Sequence, residues 1–168
     1  MPEFLNTSFG AKLSIKETVA EIIRFMKDEP KRRYKITIGT DSEALSDKNA
    51  DFVTAVVVHR VGNGGRYFWR RFQLGKFHTL RDRIIREVLV SLDLGKEVLS
   101  ELKKLTEDMV LTEALLPQWD FEIHIDVGEN GPTKAMIQEV VGIVRASNFA
   151  AITKPGSYAA SNVADRHV

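Results

Sequence analysis

The apolar positions of this chain change their period several times, and each change marks an element. Ser14-Ile15-Lys16-Glu17 has the form of a capping box, and Ile15, Val19, Ile22, Ile23 and Met26 recur at helical spacing, which predicts an amphipathic helix ending near Pro30. The period then falls to two. From Tyr34 to Thr40, strand alternation puts Ile36 and Ile38 on one face and Lys35, Thr37 and the following Asp41 on the other. Asp41 to Ala50 is polar and reads as a loop, and Phe52 to Val61 as a second strand. Gly62-Asn63-Gly64-Gly65 is a strong turn signal, so the β-branched and aromatic run Arg66 to Leu74 completes a hairpin.

Helical spacing returns with Leu80, Ile84, Ile85, Val88 and Leu92, with Thr79 placed to cap, and continues past Gly95 to about Met109. A fourth strand, Phe121 to Val127, stops at Gly128-Glu129-Asn130-Gly131, and Pro132 suits the first position of a helix running to about Ala146. Phe149 to Thr153 predicts a short fifth strand, and a last helix begins near Ser161. No repeat, low-complexity segment or linker interrupts this order. The expectation is one α/β domain over residues 1–168, with a helical lead-in over residues 1–30. Three consecutive strands followed by helix-linked ones predict a five-stranded mixed sheet, order 3-2-1-4-5, flanked by helices, with strand four joining strand one in parallel by a crossover.

That topology gives two acids a common address. Asp41 and Asp126 each stand at the tip of a short apolar strand, turned from its apolar side, and on neighbouring strands their carboxylates converge. Carboxylates so gathered repel one another unless a cation joins them. Hard divalent cations take oxygen ligands, and two of them about 3.5–4 Å apart activate a water and stabilise the leaving oxygen of a phosphodiester.

Composition narrows the classes. With 168 residues, 43% of them hydrophobic, the chain can bury a core, and disorder is not expected. A net charge of +1 excludes a protein that coats nucleic acid by bulk charge, so such binding would come from local patches. The sequence has no cysteine, which removes disulfides, thiolate metal sites and a cysteine nucleophile. Met1 to Leu13 lacks an apolar core of signal-peptide length, and no run approaches the ~18 apolar residues of a membrane span. A cytoplasmic protein with no membrane contact is the expectation.

Three phrases carry a resemblance: Ile38-Gly39-Thr40-Asp41-Ser42-Glu43, His124-Ile125-Asp126-Val127-Gly128, and the tail from Lys154-Pro155-Gly156-Ser157-Tyr158 through Ala159-Ala160-Ser161-Asn162-Val163-Ala164-Asp165-Arg166. Together they resemble the YkuK-like family of ribonuclease H-like proteins, proposed to be nucleases, from the first strand to the chain end, and the tail is the most specific part. The resemblance implies a ribonuclease H-like fold. It also implies Mg2+ or Mn2+ held by carboxylates from the first strand, the helix after the hairpin, the fourth strand and a late helix. The expected activity is divalent-metal-dependent hydrolysis of phosphodiester bonds in nucleic acid, with RNA, DNA or a hybrid as partner. A non-catalytic nucleic-acid-binding module on the same fold is the alternative. An actin-like ATPase, vaguely suggested by Asp126-Val127-Gly128, needs two such domains, and the chain has room for one.

The expected catalytic and metal-binding set is Asp41, Glu87, Asp126 and Asp165. The ordinary alternative for Asp41 is a strand-end aspartate bonding its own backbone, and for Asp126 an aspartate before a glycine turn. Glu87 falls on the arc of Leu80, Ile84 and Val88 that should face the sheet, where carboxylates are avoided unless paired, Arg83 being the nearest partner. Asp165 stands where the resemblance places the late acid. Glu43 and Glu129 are reserve ligands; the resemblance implies that His167 could complete the cluster, and a frayed terminal histidine is the commoner alternative. His59, His78 and His124 occur singly, and His124, on the face of Asp126, is read as structural. Lys31, Arg32, Arg33, Arg70, Arg71, Arg81, Arg83 and Arg86, with Tyr67, Phe68 and Trp69 interleaved, could hold a phosphate backbone. Arginines on an edge strand more commonly just block aggregation.

Overall fold

A twelve-residue central strand organises the molecule. In the computed structural model, which describes residues 1–111 and 117–168, the chain runs β1 (Phe4–Thr7), β2 (Lys12–Ser14), α1 (Ile15–Asp28), β3 (Arg33–Ala44), β4 (Ala50–Arg60), β5 (Gly65–Leu74), α2 (Leu80–Leu111), β6 (Gln118–His124), α3 (Ile137–Ala146) and β7 (Ala150–Ile152). A short C-terminal helix follows, wound as a π-helix over Ala159–Ala164 and as a 3-10 turn over Asp165–His167. The sheet order is β2-β1-β5-β4-β3-β6-β7, with β3 antiparallel to β4 and parallel to β6.

The five expected strands hold the expected order, but the sheet has seven strands, not five. Residues 4–14, read as part of a helical lead-in, form the β1–β2 hairpin and add to the edge of β5 through Asn6↔Trp69 and Thr7↔Phe68. These strands are three and four residues long, too short to show a period. The capping box at Ser14 is present: Ser14 N–H donates to Glu17 Oε2 at 2.8 Å, and Glu17 N–H to Ser14 Oγ at 3.2 Å. Thr79 Oγ1 likewise accepts from Asp82 N–H at 3.0 Å at the start of α2. Pro132 does not open a helix. It sits in a turn after Gly131 (φ +94°), and regular winding begins with a 3-10 turn at Lys134.

The main core lies on one face of the sheet, where Ile36, Ile38, Val56, Val58 and Ile123 meet Val19, Ile22 and Met26 of α1, Val88 and Leu102 of α2, and Val140 and Val144 of α3. Gly95 lets α2 come close: a Cβ there would lie 3.0 Å from Ile123 Cδ1. The opposite face carries the C-terminal helix, packed through Ala164 and Val163 onto Val53, Ala55 and Trp69.

Candidate functional site

The parallel ladder between β3 and β6 ends at Gly39↔His124. Two residues further along each chain stand Asp41 and Asp126, so the first two acids flank the point where neighbouring strands part. Past His124 the chain turns toward β7, with Ile125 N–H donating to Ile152 O at 2.9 Å. A crevice at the carboxyl ends of parallel strands is where open α/β sheets commonly place ligands. Asp41 is not at a strand tip, as the sequence pattern suggested. β3 and β4 pair on to Ala44↔Ala50, so Asp41 lies inside a strand with backbone pairing on its β4 side. The polar residues after it belong to an antiparallel extension beyond the core, where burial imposes no apolar alternation.

Asp41 shares its sheet face with Gly39, and the C-terminal helix crosses this face over Gly39. A Cβ on Gly39 would lie 2.4 Å from Ala160 N, so only glycine admits the helix backbone at this depth. The crossing brings Asp165 to Asp41, and with Asp126 it opposes the ionisation of Asp41. Burial is the largest cause, and together these lift the Asp41 carboxyl to about 6, against an opposing hydrogen bond from the Ser42 backbone.

Glu87 reaches the same region from the other face. It is 5% exposed on α2, as its helical position required, and Ser42 Oγ donates to Glu87 Oε1 at 2.5 Å. Arg83 does not bond Glu87 directly: its Nη1 donates to Ser42 O and stands 3.4 Å from Ser42 Oγ. Burial pushes the Glu87 carboxyl up to about 8, with Asp41 and Asp126 adding repulsion and with Ser42 and Arg83 opposing the rise. Asp41 thus feels Asp126 and Asp165, and Glu87 feels Asp41 and Asp126, although the four come from separate parts of the chain.

Asp126 has a different neighbour. Lys154 Nζ stands 3.0 Å from its Oδ1, an ion-pair distance without hydrogen-bond geometry, and that oxygen is shielded from solvent with no hydrogen-bond donor among the described residues. A buried carboxylate oxygen left without a donor suits a cation ligand, and the acids around it supply the oxygen donors that Mg2+ or Mn2+ takes. The donor chemistry therefore fits such an ion. No group of three or more His, Asp or Glu among the described residues is set as a ready-made metal cluster.

The reserve ligands lie outside this arrangement. Glu43 is exposed two residues beyond Asp41, and Glu129 is exposed beside Lys134 at 3.5 Å. His124 is structural, as expected: Ala159 N–H donates to its Nδ1 at 3.2 Å, which leaves Nε2–H to donate to Glu122 Oε2 at 3.1 Å. His59 packs edge-on to Tyr158, and His78 is exposed. His167 is not frayed. Its ring stacks on Trp69 with centroids 4.1 Å apart, which pins the end of the helix bearing Asp165.

Most of the expected phosphate-binding residues are placed otherwise. Arg33 begins β3, eight residues from Asp41 or about 26 Å of strand, so Lys31, Arg32 and Arg33 lie at the far end of the sheet. Arg70 is buried on the helical face and donates to Pro2 O at 3.0 Å. Arg71 is paired with Asp51, and Arg81 with Glu139. Phe68 is core, while Tyr67 and Trp69 hold His167. Arg83 and the exposed Arg86 remain on the first turns of α2, on the site's side of the molecule. Sequence reasoning assigned no role to Ser42 or Lys154. Both lie inside the phrases that carry the family resemblance, which was the signal that could have found them.

Comparison with known proteins gives the family. A family model described as "Ribonuclease H-like" matches residues 17–168. An uncharacterized Bacillus subtilis (strain 168) protein, YkuK, is 31% identical over 170 residues, covering 97% of this chain and 95% of that protein.

Proposed function

Since the chain belongs to the ribonuclease H-like family, we propose that it is a divalent-metal-dependent nuclease, one domain over residues 1–168 that hydrolyses phosphodiester bonds in nucleic acid. The observation that carries this reading is the electrostatic coupling of Asp41, Glu87, Asp126 and Asp165, brought from β3, α2, the loop after β6 and the C-terminal helix. Acids collected from four elements raise the energy of the fold and persist where a function retains them.

Asp41 and Asp126 would hold Mg2+ or Mn2+, with Asp165 and Glu87 completing the oxygen donors. When bound, the ions supply a water of lowered pKa and stabilisation of the leaving oxygen. The chain's own residues prepare this arrangement. Ser42 fixes Glu87 by its 2.5 Å hydrogen bond, and Arg83 fixes the β3 backbone at Ser42, next to Asp41. Lys154 partly neutralises Asp126 and keeps it at the mouth of the crevice.

A second reading, a nucleic-acid-binding module without cleavage, is favoured by one observation: Lys154 supplies Asp126 with a counter-charge of its own. Cleavage assays separate the two. Purified protein should cut single- or double-stranded RNA, DNA or hybrid with Mg2+ or Mn2+ and not in excess chelator, and Asp41→Asn should abolish cutting. Binding without cleavage across that panel, with no manganese-induced rise in melting temperature, supports the module instead.

A further inference from the structure

The loop between β3 and β4 and the loop before α2 enclose a cavity of about 310 Å³ whose lining contains Lys48, His78 and Arg83 and no carboxylate. Its polar remainder is Ser46, Asn49 and Thr79. The nearby acids do not line it. Asp47 is held by Asn49, whose N–H and Nδ2 donate to its two oxygens at 3.1 and 2.6 Å, and Asp82 lines a different cavity. Among the described residues Lys48 and His78 have no ion-pair partner, unlike Arg71 and Arg81 nearby.

The walls are fixed in place. Phe77 N–H donates to Lys48 O at 2.7 Å and joins the two loops, Leu45 N–H donates to Asn49 O at 2.8 Å, and the Phe77 ring packs on Phe52 with centroids 5.4 Å apart. Lys48 itself adopts a left-handed backbone, φ +64°, in the turn that presents it. Arg83 belongs to both places: it lines the cavity and donates to Ser42, which holds Glu87. The cavity is therefore contiguous with the acidic crevice and opposite to it in charge.

We propose that this cavity binds a backbone phosphate of the nucleic acid whose neighbouring phosphodiester lies at the acids. The proposal rests on the nuclease reading and adds the point of grip. A negative cluster repels a polyanion, so a cationic pocket beside it is what holds the strand in register. Because Lys48, His78 and Arg83 meet a phosphate through charge and hydrogen bonds, and the Phe77 ring is packed on Phe52, the grip is on the backbone and indifferent to base.

The test is binding of fluorescein-labelled single-stranded RNA and DNA oligonucleotides in chelator, measured by fluorescence anisotropy over a salt series, for the parent and for Lys48→Asn/His78→Asn. Asparagine tolerates the left-handed backbone at position 48. The double variant should bind at least about fivefold more weakly, with a slope of log affinity on log salt shallower by about 0.7 for each phosphate no longer neutralised. Lys48→Arg should restore the parent's behaviour, and Lys31→Ala, at the far end of the sheet, should match the parent. Unchanged affinity and slope in the double variant, with metal-dependent cutting intact in the parent, would overturn the pocket and leave the nuclease reading standing. An equal weakening in Lys31→Ala would also overturn it, since the effect would then be bulk charge. A parent that binds no oligonucleotide in chelator overturns the pocket, while cutting with Mg2+ or Mn2+ decides the nuclease reading separately.

Discussion

Glu87→Gln isolates the cost of holding an acid in the crevice. Glu87 has a folded-state pKa of about 8 against an ordinary 4.5. Between those values the unfolded chain has released this proton and the folded chain keeps it, so stability falls as pH rises through the interval. At 1.36 kcal/mol per pH unit, the loss is about 1 kcal/mol by about pH 5.5 and between about 4 and 5 kcal/mol by about pH 8.5. Glutamine keeps the shape and still accepts the Ser42 hydrogen bond, but carries no charge. In chelator, urea denaturation should therefore show Glu87→Gln close to the parent in acid and more stable than it by about 3 kcal/mol more at about pH 8.5 than at about pH 5.5. The test is a double difference, so other titrating groups common to both proteins cancel. Stability curves that run parallel across the whole pH range would show that Glu87 is not kept protonated by its surroundings, and the electrostatic coupling of the site would be refuted.

Two further perturbations probe how the site is positioned. Gly39→Ala places a methyl group 2.4 Å from Ala160 N and should destabilise the fold by about 3 kcal/mol, lifting the helix that carries Asp165. Denaturation midpoints and Trp69 fluorescence, quenched or shifted while His167 is stacked on it, report both effects; a neutral substitution would mean that the helix does not pack at this depth. Thr40→Val removes the hydroxyl that bridges Thr54 Oγ1 at 3.0 Å and Ser91 Oγ at 2.7 Å beneath α2. It should cost about 1–2 kcal/mol in denaturant unfolding and leave manganese-induced stabilisation unchanged.

Periodicity alone carried most of the fold, because burial on one face writes itself into the residue pattern. The inward position of Glu87 follows from which face must be apolar, the capping box at Ser14 from a local Ser-x-x-Glu motif, and the order of the five main strands from the turn at Gly62–Gly65 and the parallel crossover. Two kinds of feature were not legible. The β1–β2 hairpin is too short to have a period, and the extension of β3 beyond Asp41 lies outside the core, so nothing in its sequence distinguishes strand from loop. Tertiary structure also decided the fate of the basic residues. Arg33 and Arg83 look alike in a sequence, but a strand of twelve residues carries one to the far end of the sheet while a helix start brings the other to Ser42. Asp41 and Asp126 could be assigned to neighbouring strands from the predicted topology, although β3 runs on to Ala44 while β6 stops at His124. The meeting of Asp165 with Asp41 could not be read from spacing, for it depends on a helix backbone passing over Gly39, and the absence of one side chain matters only once the other segment is in place.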